Sequence, residues 1–437
     1  MRVLVEFSVE NFLSFRDEQR FSMVASKERA DSKGVIEAAK SGDDGLLACA
    51  AIYGPNAAGK SNLVQAINYV KVLITNSFNR GLDDGTGIQT FRLDAQYRDQ
   101  ATKFEVIFLQ NKVRYDYSLV VNANVVVEES LYAYPKGKAQ LWYRRSHDHQ
   151  TGKPVLSPGR NLRGKLDVLR SFVRPNLPVL SLAILSNHPQ LTEVYYWFDQ
   201  KLTIWLNNSN PNSNPAQERQ FMTVIVAGMP QIHKPLSQLL HLADVGIREL
   251  NVREDITTSI AMDDATEVLP FRIHEEPQRR QRYVRFLHGG TPDSLNDSLF
   301  SIEDESRGTQ QLFVLGTVLL NGLQRDQIVI VDEMDASLHP QLVRSLVGLY
   351  QNDSHHEAQL IFNTHDASLL GANLLERDQI WFVEKDNKGA SHLYPLLEFQ
   401  PQETDESLEE SYLRGRFGAV PLIDRLTWQE IKGDAAS

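Results

Sequence analysis

Gly54-Pro55-Asn56-Ala57-Ala58-Gly59-Lys60-Ser61 is the stretch on which the reading of this chain turns. It fits G-x-x-x-x-G-K-[ST], in which glycines let the backbone curl until successive N–H groups point at phosphate oxygens. A helix opening at its end adds a positive dipole, Lys60 reaches the β and γ phosphates, and the Ser61 hydroxyl coordinates Mg²⁺. A chance match in a chain of this length is on the order of 1%, so the context decides. The apolar run Leu46–Tyr53 reads as a buried strand entering the loop. Leu63, Ile67, Val70 and Leu73 set the phase of a helix leaving it from about Ser61, with Asn62 at its start. Strand, glycine loop and helix together predict a phosphate cradle.

Three later segments fit the same chemistry. Ile328-Val329-Ile330-Val331 feeds Asp332 and Glu333, a buried strand delivering two acids to a crevice. Asp332 is placed to bind Mg²⁺, directly or through water, and Glu333 to polarise an attacking water. Ile361-Phe362-Asn363-Thr364-His365-Asp366 is a second apolar strand ending in a histidine that can reach a γ-phosphate; alone, it reads equally as an exposed loop histidine. Glu305-Ser306-Arg307-Gly308-Thr309-Gln310 is a small polar turn opening a helix. That geometry suits an anion, and it also describes an ordinary N-cap with Ser306 or Thr309 as the capping group.

At 437 residues, 42% hydrophobic and 23% charged, the chain has material for two or three cores. Its formal charge of -11 does not indicate a nucleic-acid coat, although a local basic face remains compatible with it. One cysteine, Cys49, excludes an internal disulfide framework and reads as a small buried hydrophobe. Met1–Phe7 meets charge too early for a signal peptide, and no apolar run approaches the ~20 residues of a membrane span. The expected compartment is the cytoplasm, with no membrane partner.

Alternation through Val3, Val5, Phe7 and Val9, with a return through Phe21, predicts two short strands, and Phe91 to Trp142 an antiparallel block packed on them. Between about 155 and 265 the period turns helical, with apolar helices over Leu177–Leu185 and Val194–Leu206. Within that segment, Asn207–Pro215 is a polar, turn-rich stretch read as a loop or linker. Strands resume after Phe271, then a helix Thr309–Leu323, the strand before Asp332, a helix Pro340–Tyr350 and the strand before His365. This alternation marks an α/β protein.

In order and company, these four segments resemble the nucleotide-binding head of ABC-type ATPases. Gly54-Pro55-Asn56 and Asp332-Glu333-Met334-Asp335-Ala336-Ser337-Leu338-His339-Pro340 look like the SMC, RecF and OLD branch. Asn11-Phe12-Leu13-Ser14-Phe15, the Glu305–Thr309 turn and Tyr412–Pro421 are most similar to single-chain RloA/AriA-like ATPases of bacterial anti-phage systems. The resemblance implies a mixed sheet plus antiparallel β block with a helical insertion. It divides the chain at 1–154, 155–265 and 266–437: two halves of a head around a segment for oligomerisation or partner docking. It makes Glu333 the catalytic base and His365 the switch histidine. Ser306, Gly308 and Thr309 become a signature acting on ATP bound by the other subunit, and Ser337-Leu338-His339 a loop crossing the dimer interface. ATP and Mg²⁺ are the cofactors it implies, and a second copy and a separately encoded, nuclease-like effector the partners. Three positions depart from the pattern: Ala57 stands where many relatives have Gly, Arg307 is bulky and charged, and His339 replaces the Asp of transporter-type loops. Gln89 is the nearest candidate for the coupling glutamine.

Three function classes are compatible with this reading: a defence-system ATPase acting as sensor or scaffold, a repair or recombination ATPase that clamps DNA, and an ATP-gated interaction module with little turnover. The acidic balance favours the first. Arg279, Arg280, Arg282 and Arg285 around Tyr283 read as the charged face of a strand pair before a nucleic-acid surface. His147-Asp148-His149 reads as a solvated loop before a metal site.

Overall fold

Strands built from consecutive aliphatic residues need cover on both faces, and the centre of this molecule supplies it. Ile328–Val331, Gln359–Asn363 and Cys49–Tyr53 are buried at every position. They lie in a six-stranded sheet in the order Leu202–Trp205, Ile328–Val331, Gln359–Asn363, Cys49–Tyr53, Ile380–Lys385, Ser391–Pro395. The first five run parallel and the last is antiparallel. The computed structural model describes residues 1–27, 33–36, 45–81, 83–148, 150–164, 166–206, 215–243, 246–257, 279–289, 298–352, 357–371, 374–399 and 407–420. Two compact units hold them: Met1–Asn207 with Gly322–Asp335 and Val343–Ser437, and Asn208–Asn321 with Ala336–Leu342.

The first unit also contains a seven-stranded antiparallel sheet, from Lys153–Pro158 through Gln140–Asp148, Val126–Tyr134, Val113–Val121, Thr102–Gln110 and Arg2–Glu10 to Gln19–Ser22. Thr102–Gln110 buries alternate residues, as a strand with one covered face must. The helix Lys60–Asn76 buries Leu63, Val64, Ile67, Val70, Leu73 and Ile74. They share one core with Phe7, Phe104 and Val106 of the antiparallel sheet and Ile330 and Ile361 of the parallel one. Gln359 crosslinks this unit: its side-chain amide donates to Leu4 O and Leu47 O and accepts from Leu4 N at 2.7 Å.

Two expected helices are corrected. Val194–Leu206 is helical only at its start: a helix Pro189–Tyr196 widens into a π turn, Trp197–Lys201, and Leu202–Trp205 is a strand. Leu, Thr, Ile and Trp suit a pleated surface, and pairing with Ile328–Val331 decides their state. Leu177–Leu185 holds only the 3₁₀ turn Leu180–Leu182, with turns on either side of it. Cys49 is buried, and burial pushes its thiol upward.

The second unit carries a three-stranded sheet, Ile247–Thr257, Arg279–His288 and Leu299–Phe300, with helices Pro215–Ala227 and Pro230–Leu242 and the start of Arg307–Gln324. Phe286 meets Phe313 edge-on at 5.1 Å. A Cβ on Gly316 would fall 2.6 Å from Leu239, so the missing side chain lets two helices approach. The helical middle expected over 155–265 is shared: Leu166–Phe172 and Pro189–Tyr196 belong to the first unit, Pro215–Ala227 and Pro230–Leu242 to the second. Residues 207–214 of the turn-rich stretch, residues 258–278 around Phe271, His149 and Pro421 lie outside the described residues.

Candidate functional site

The P-loop begins where the buried strand Cys49–Tyr53 ends. Gly54 has φ +153°, and a Cβ there would lie 2.2 Å from Val383 O. Gly59 has φ +118°, and its Cβ would strike the hydroxyls of Ser391 and Ser14. Both glycines are therefore obligatory for backbone and space. Ala57, the departure from glycine, takes φ +61°, an uncommon but accessible conformation for a small residue. The helix then starts at Lys60. Its ammonium is buried and curls back to donate to Gly54 O at 2.7 Å and Pro55 O at 3.1 Å. Burial lowers it to about 8, against the opposing pull of the Asp335, Asp332 and Glu333 carboxylates.

Those acids come from the end of the neighbouring strand. Asp332 is buried, its N–H donating to Trp205 O at 2.9 Å. Burial raises its carboxyl above the usual range, while hydrogen bonds from the Asn363 amide and the Ser61 hydroxyl pull the other way. Glu333 adopts φ +57° and donates its backbone N–H to the Asn363 side-chain oxygen. Asp335 accepts the His365 backbone N–H at 3.2 Å. His365 is exposed, and its imidazole is lowered by partial desolvation and by the Lys60 ammonium, against the opposing pull of the Asp335, Glu333 and Asp332 carboxylates.

Asn56, Ala57, Ala58, Gly59, Lys60, Ser61, Asn62, Glu333, His365 and Lys385 line one cavity of about 550 Å³. Asp332 meets it through Ser61. An adjoining hollow of about 260 Å³ shares Asn62 and Lys385 and is lined by Leu13, Ser14, Gln89, Phe91 and Leu93 among others. Gln89 thus borders the hollow beside the phosphate cradle, with its backbone carbonyl taken by Leu13 N.

In the second unit, Ser306 caps the helix Arg307–Gln324: its hydroxyl accepts from Thr309 N at 3.1 Å and pairs with Thr309 Oγ1 at 2.9 Å. Ser306 and Arg307 are exposed and Thr309 is buried. The turn is tied down by Gln310 donating to Ile302 O and Glu305 O, and by His288 against Glu305 at 2.6 Å. A Cβ on Gly308 would meet Ser337 O at 3.2 Å, so the turn and the Ser337–His339 loop abut within this unit. Ser337 takes φ +60°, and His339 Nδ1 accepts from Gln341 N at the next helix start.

A family model described as AAA domain, putative AbiEii toxin, Type IV TA system matches residues 49–371. The chain belongs to this AAA-domain family. The matched span opens on the first residue of the P-loop strand and includes the Glu305–Thr309 turn, both acids and His365. No curated relative matches the sequence. Among solved structures, the SMC head domain from Thermotoga maritima aligns at 14% identity over 90% of this chain and 99% of that one, TM-score 0.40. The SmcHead bound to the C-winged helix domain of ScpA aligns at 14% over 94% and 99%, TM-score 0.45. An Smc head with an extended coiled coil, bound to the C-terminal domain of ScpA derived from Pyrococcus furiosus, aligns at 13% over 94% and 98%, TM-score 0.41.

Ser391 and Lys385, which carry no sequence motif of their own, also shape this AAA-domain site, together with the Asn11–Phe15 stretch. Ser391 Oγ donates to Ala58 O and pairs with Ser14 Oγ, which accepts from the Asn62 amide at 2.6 Å. The Asn11–Phe15 stretch therefore braces the P-loop from outside. Asn11 anchors it by donating to Tyr97 O and Gln100 O and accepting from Phe91 N. Lys385 adds a cation at the cavity wall from the end of Ile380–Lys385. No helix among the described residues is long and apolar enough to cross a membrane.

Proposed function

We propose that this protein binds Mg-ATP in the P-loop cavity and hydrolyses it slowly, as the ATP-driven sensor or scaffold subunit of a cytoplasmic anti-phage defence system. The observation that carries the reading is the convergence of Lys60, Ser61, Glu333 and His365 on one cavity, with Asp332 bonded to Ser61. Ser61 and Asp332 present hard oxygen atoms side by side, a pairing that suits Mg²⁺ shared with nucleotide phosphates. Among the described residues no group of three or more His, Cys, Asp or Glu could hold a metal by itself, consistent with an ion that arrives with its nucleotide. Bound there, Mg²⁺ neutralises phosphate charge. Lys60 and the loop N–H groups hold the β and γ phosphates, Glu333 orients and polarises water, and His365 donates toward the terminal phosphate.

Ser306, Gly308 and Thr309 act on the nucleotide of a second copy, giving a head-to-head dimer with two composite sites. The exposed Ser306 and half-exposed Gly308 at a helix start support this role. The segment 155–265 supplies the contacts for assembly or for a separate, nuclease-like effector. The family description, with its putative AbiEii toxin and type IV toxin–antitoxin system, supports a defence setting.

The test is the mass in solution of wild type and Glu333→Gln, with and without Mg-ATP. A larger assembly locked by ATP in the variant upholds the composite site. A mass that never responds although ATP binds removes the trans role of the signature turn.

A further inference from the structure

The histidine-bearing strand ends in a residue that neither the P-loop chemistry nor the switch accounts for. Asn363 is fully buried, and its side chain is spent on the two acids of the neighbouring strand. The amide nitrogen donates to Asp332 Oδ1, and the amide oxygen accepts the backbone N–H of Glu333. Its own carbonyl accepts from Met334 N at 3.1 Å. Three consecutive residues of the acid-bearing turn are therefore held by one asparagine.

Strand register puts it there. Val331 pairs with Phe362, so the next residue on each strand, Asp332 and Asn363, come level as the ladder ends. On its other side Asn363 is in register with Ile52 of the P-loop strand, and Thr364 N donates to Ile52 O at 3.2 Å. One position thus links the strand that carries the acids to the strand that carries the phosphate loop.

We infer that Asn363 is a positioning residue of the nucleotide site, a two-handed clamp that fixes the Asp332 carboxylate for the metal and holds Glu333 in the backbone conformation that aims it at the cavity. Few other side chains could do both. A carboxylate needs a donor and a backbone N–H needs an acceptor, and the amide offers one of each from a single carbon. Aspartate has no donor when ionised and would face Asp332 with like charge; leucine has neither function. Glu333 shows why the second hand is needed. At φ +57° it sits in a region that non-glycine residues occupy rarely, and only when surrounding structure imposes it. The Asn363 bond to its N–H helps impose it. Asn363 touches no reacting atom and acts through the two acids it holds.

The inference rests on the Mg-ATP reading, and the experiment separates the two. Nucleotide affinity is measured with a fluorescent ATP analogue, in Mg²⁺ and in EDTA, for wild type, Asn363→Leu, Asn363→Ser and Lys60→Ala, with a thermal melt of each and kcat and KM where turnover is seen. Wild type should bind in EDTA and bind more tightly in Mg²⁺. Asn363→Leu should match wild type in EDTA but lose about 10- to 100-fold of the affinity in Mg²⁺, the scale on which groups behind a metal ligand act. Its kcat should fall at least as far while KM rises with the lost Mg²⁺-dependent affinity, and Asn363→Ser should lie between. Wild-type Mg²⁺ response and turnover in both variants would overturn the clamp, as would loss of EDTA binding or of folding in both, which would make Asn363 a structural strand end. A wild type that binds no better than Lys60→Ala would remove the nucleotide reading itself, and the clamp with it.

Discussion

The P-loop and the Glu305–Thr309 turn are both helix starts, in opposite settings. The P-loop is enclosed: Lys60 is 5% exposed, Gly54 and Gly59 are hemmed in by Val383, Ser391 and Ser14, and a cavity has formed over it. The signature turn is held rigid from beneath by Gln310 and the His288–Glu305 pair, yet Ser306 and Arg307 face outward. The first unit gathers its phosphate cradle, acids and histidine by itself. The second presents a finished helix cap with Ser306 and Arg307 on its outward face. Damage to the first should remove nucleotide binding. Damage to the second should spare binding and remove turnover and assembly.

The largest effect is expected at Glu333. Glu333→Gln should cut turnover by about 10²–10⁴-fold, the range for losing a positioned base, with ATP still bound; a steady-state phosphate-release assay beside a binding titration checks both. Lys60→Ala should come next, since charge-assisted bonds to phosphate contribute roughly 1.5–3 kcal/mol. That corresponds to an affinity loss of about 10- to 150-fold, measurable by calorimetry. Gly308→Val sharpens the contrast from the other side. Its side chain would crowd Ser337 O and fill the open helix start, so turnover should fall about tenfold or more while the affinity for ATP stays within about twofold.

The smallest effect is a pH dependence. With Lys60 lowered to about 8 by burial, the free protein holds the ammonium below that pH and sheds it above. Phosphate binding needs the ammonium, so affinity should be flat below about pH 7.5 and fall by up to about tenfold per unit above 8. Folding stability should move the other way. The unfolded chain keeps its proton toward the ordinary lysine range, so between about 8 and 10.5 it binds more protons than the folded chain, and this contribution to stability rises with pH. Titrating both in Glu333→Gln, where turnover does not intrude, separates the two signs.

Residues that declare themselves locally are legible in the chain. The aliphatic runs before Asp332 and His365 are buried strands, the alternation from Phe104 to Leu119 lies in an antiparallel sheet, and the Lys60 helix buries the phase set by Leu63, Ile67, Val70 and Leu73. Leu202–Trp205 reads as helix in the sequence because four residues after a helix carry no period of their own; the strand exists because Ile328–Val331 has an open edge to pair with. Arg279–His288 pairs as a strand in antiparallel register with Ile247–Thr257, as the reading of its basic run as part of a strand pair expects.

The chemistry of the site is a property of the sequence alone: a glycine loop with lysine and serine, two acids after a buried strand, a histidine after another. Each depends on residue type and short spacing, which folding does not alter. Which residues hold those groups in place is decided only by tertiary structure. Asn363 meets Asp332 because two strands end level, Ser14 and Ser391 brace a loop 48 and 333 residues away in the chain, and Gln359 joins three strands through one amide. Such pairings arise from sheet register and layer packing, and no local pattern encodes them, because asparagine, serine and glutamine look the same in a sequence whether they face water or fasten a core.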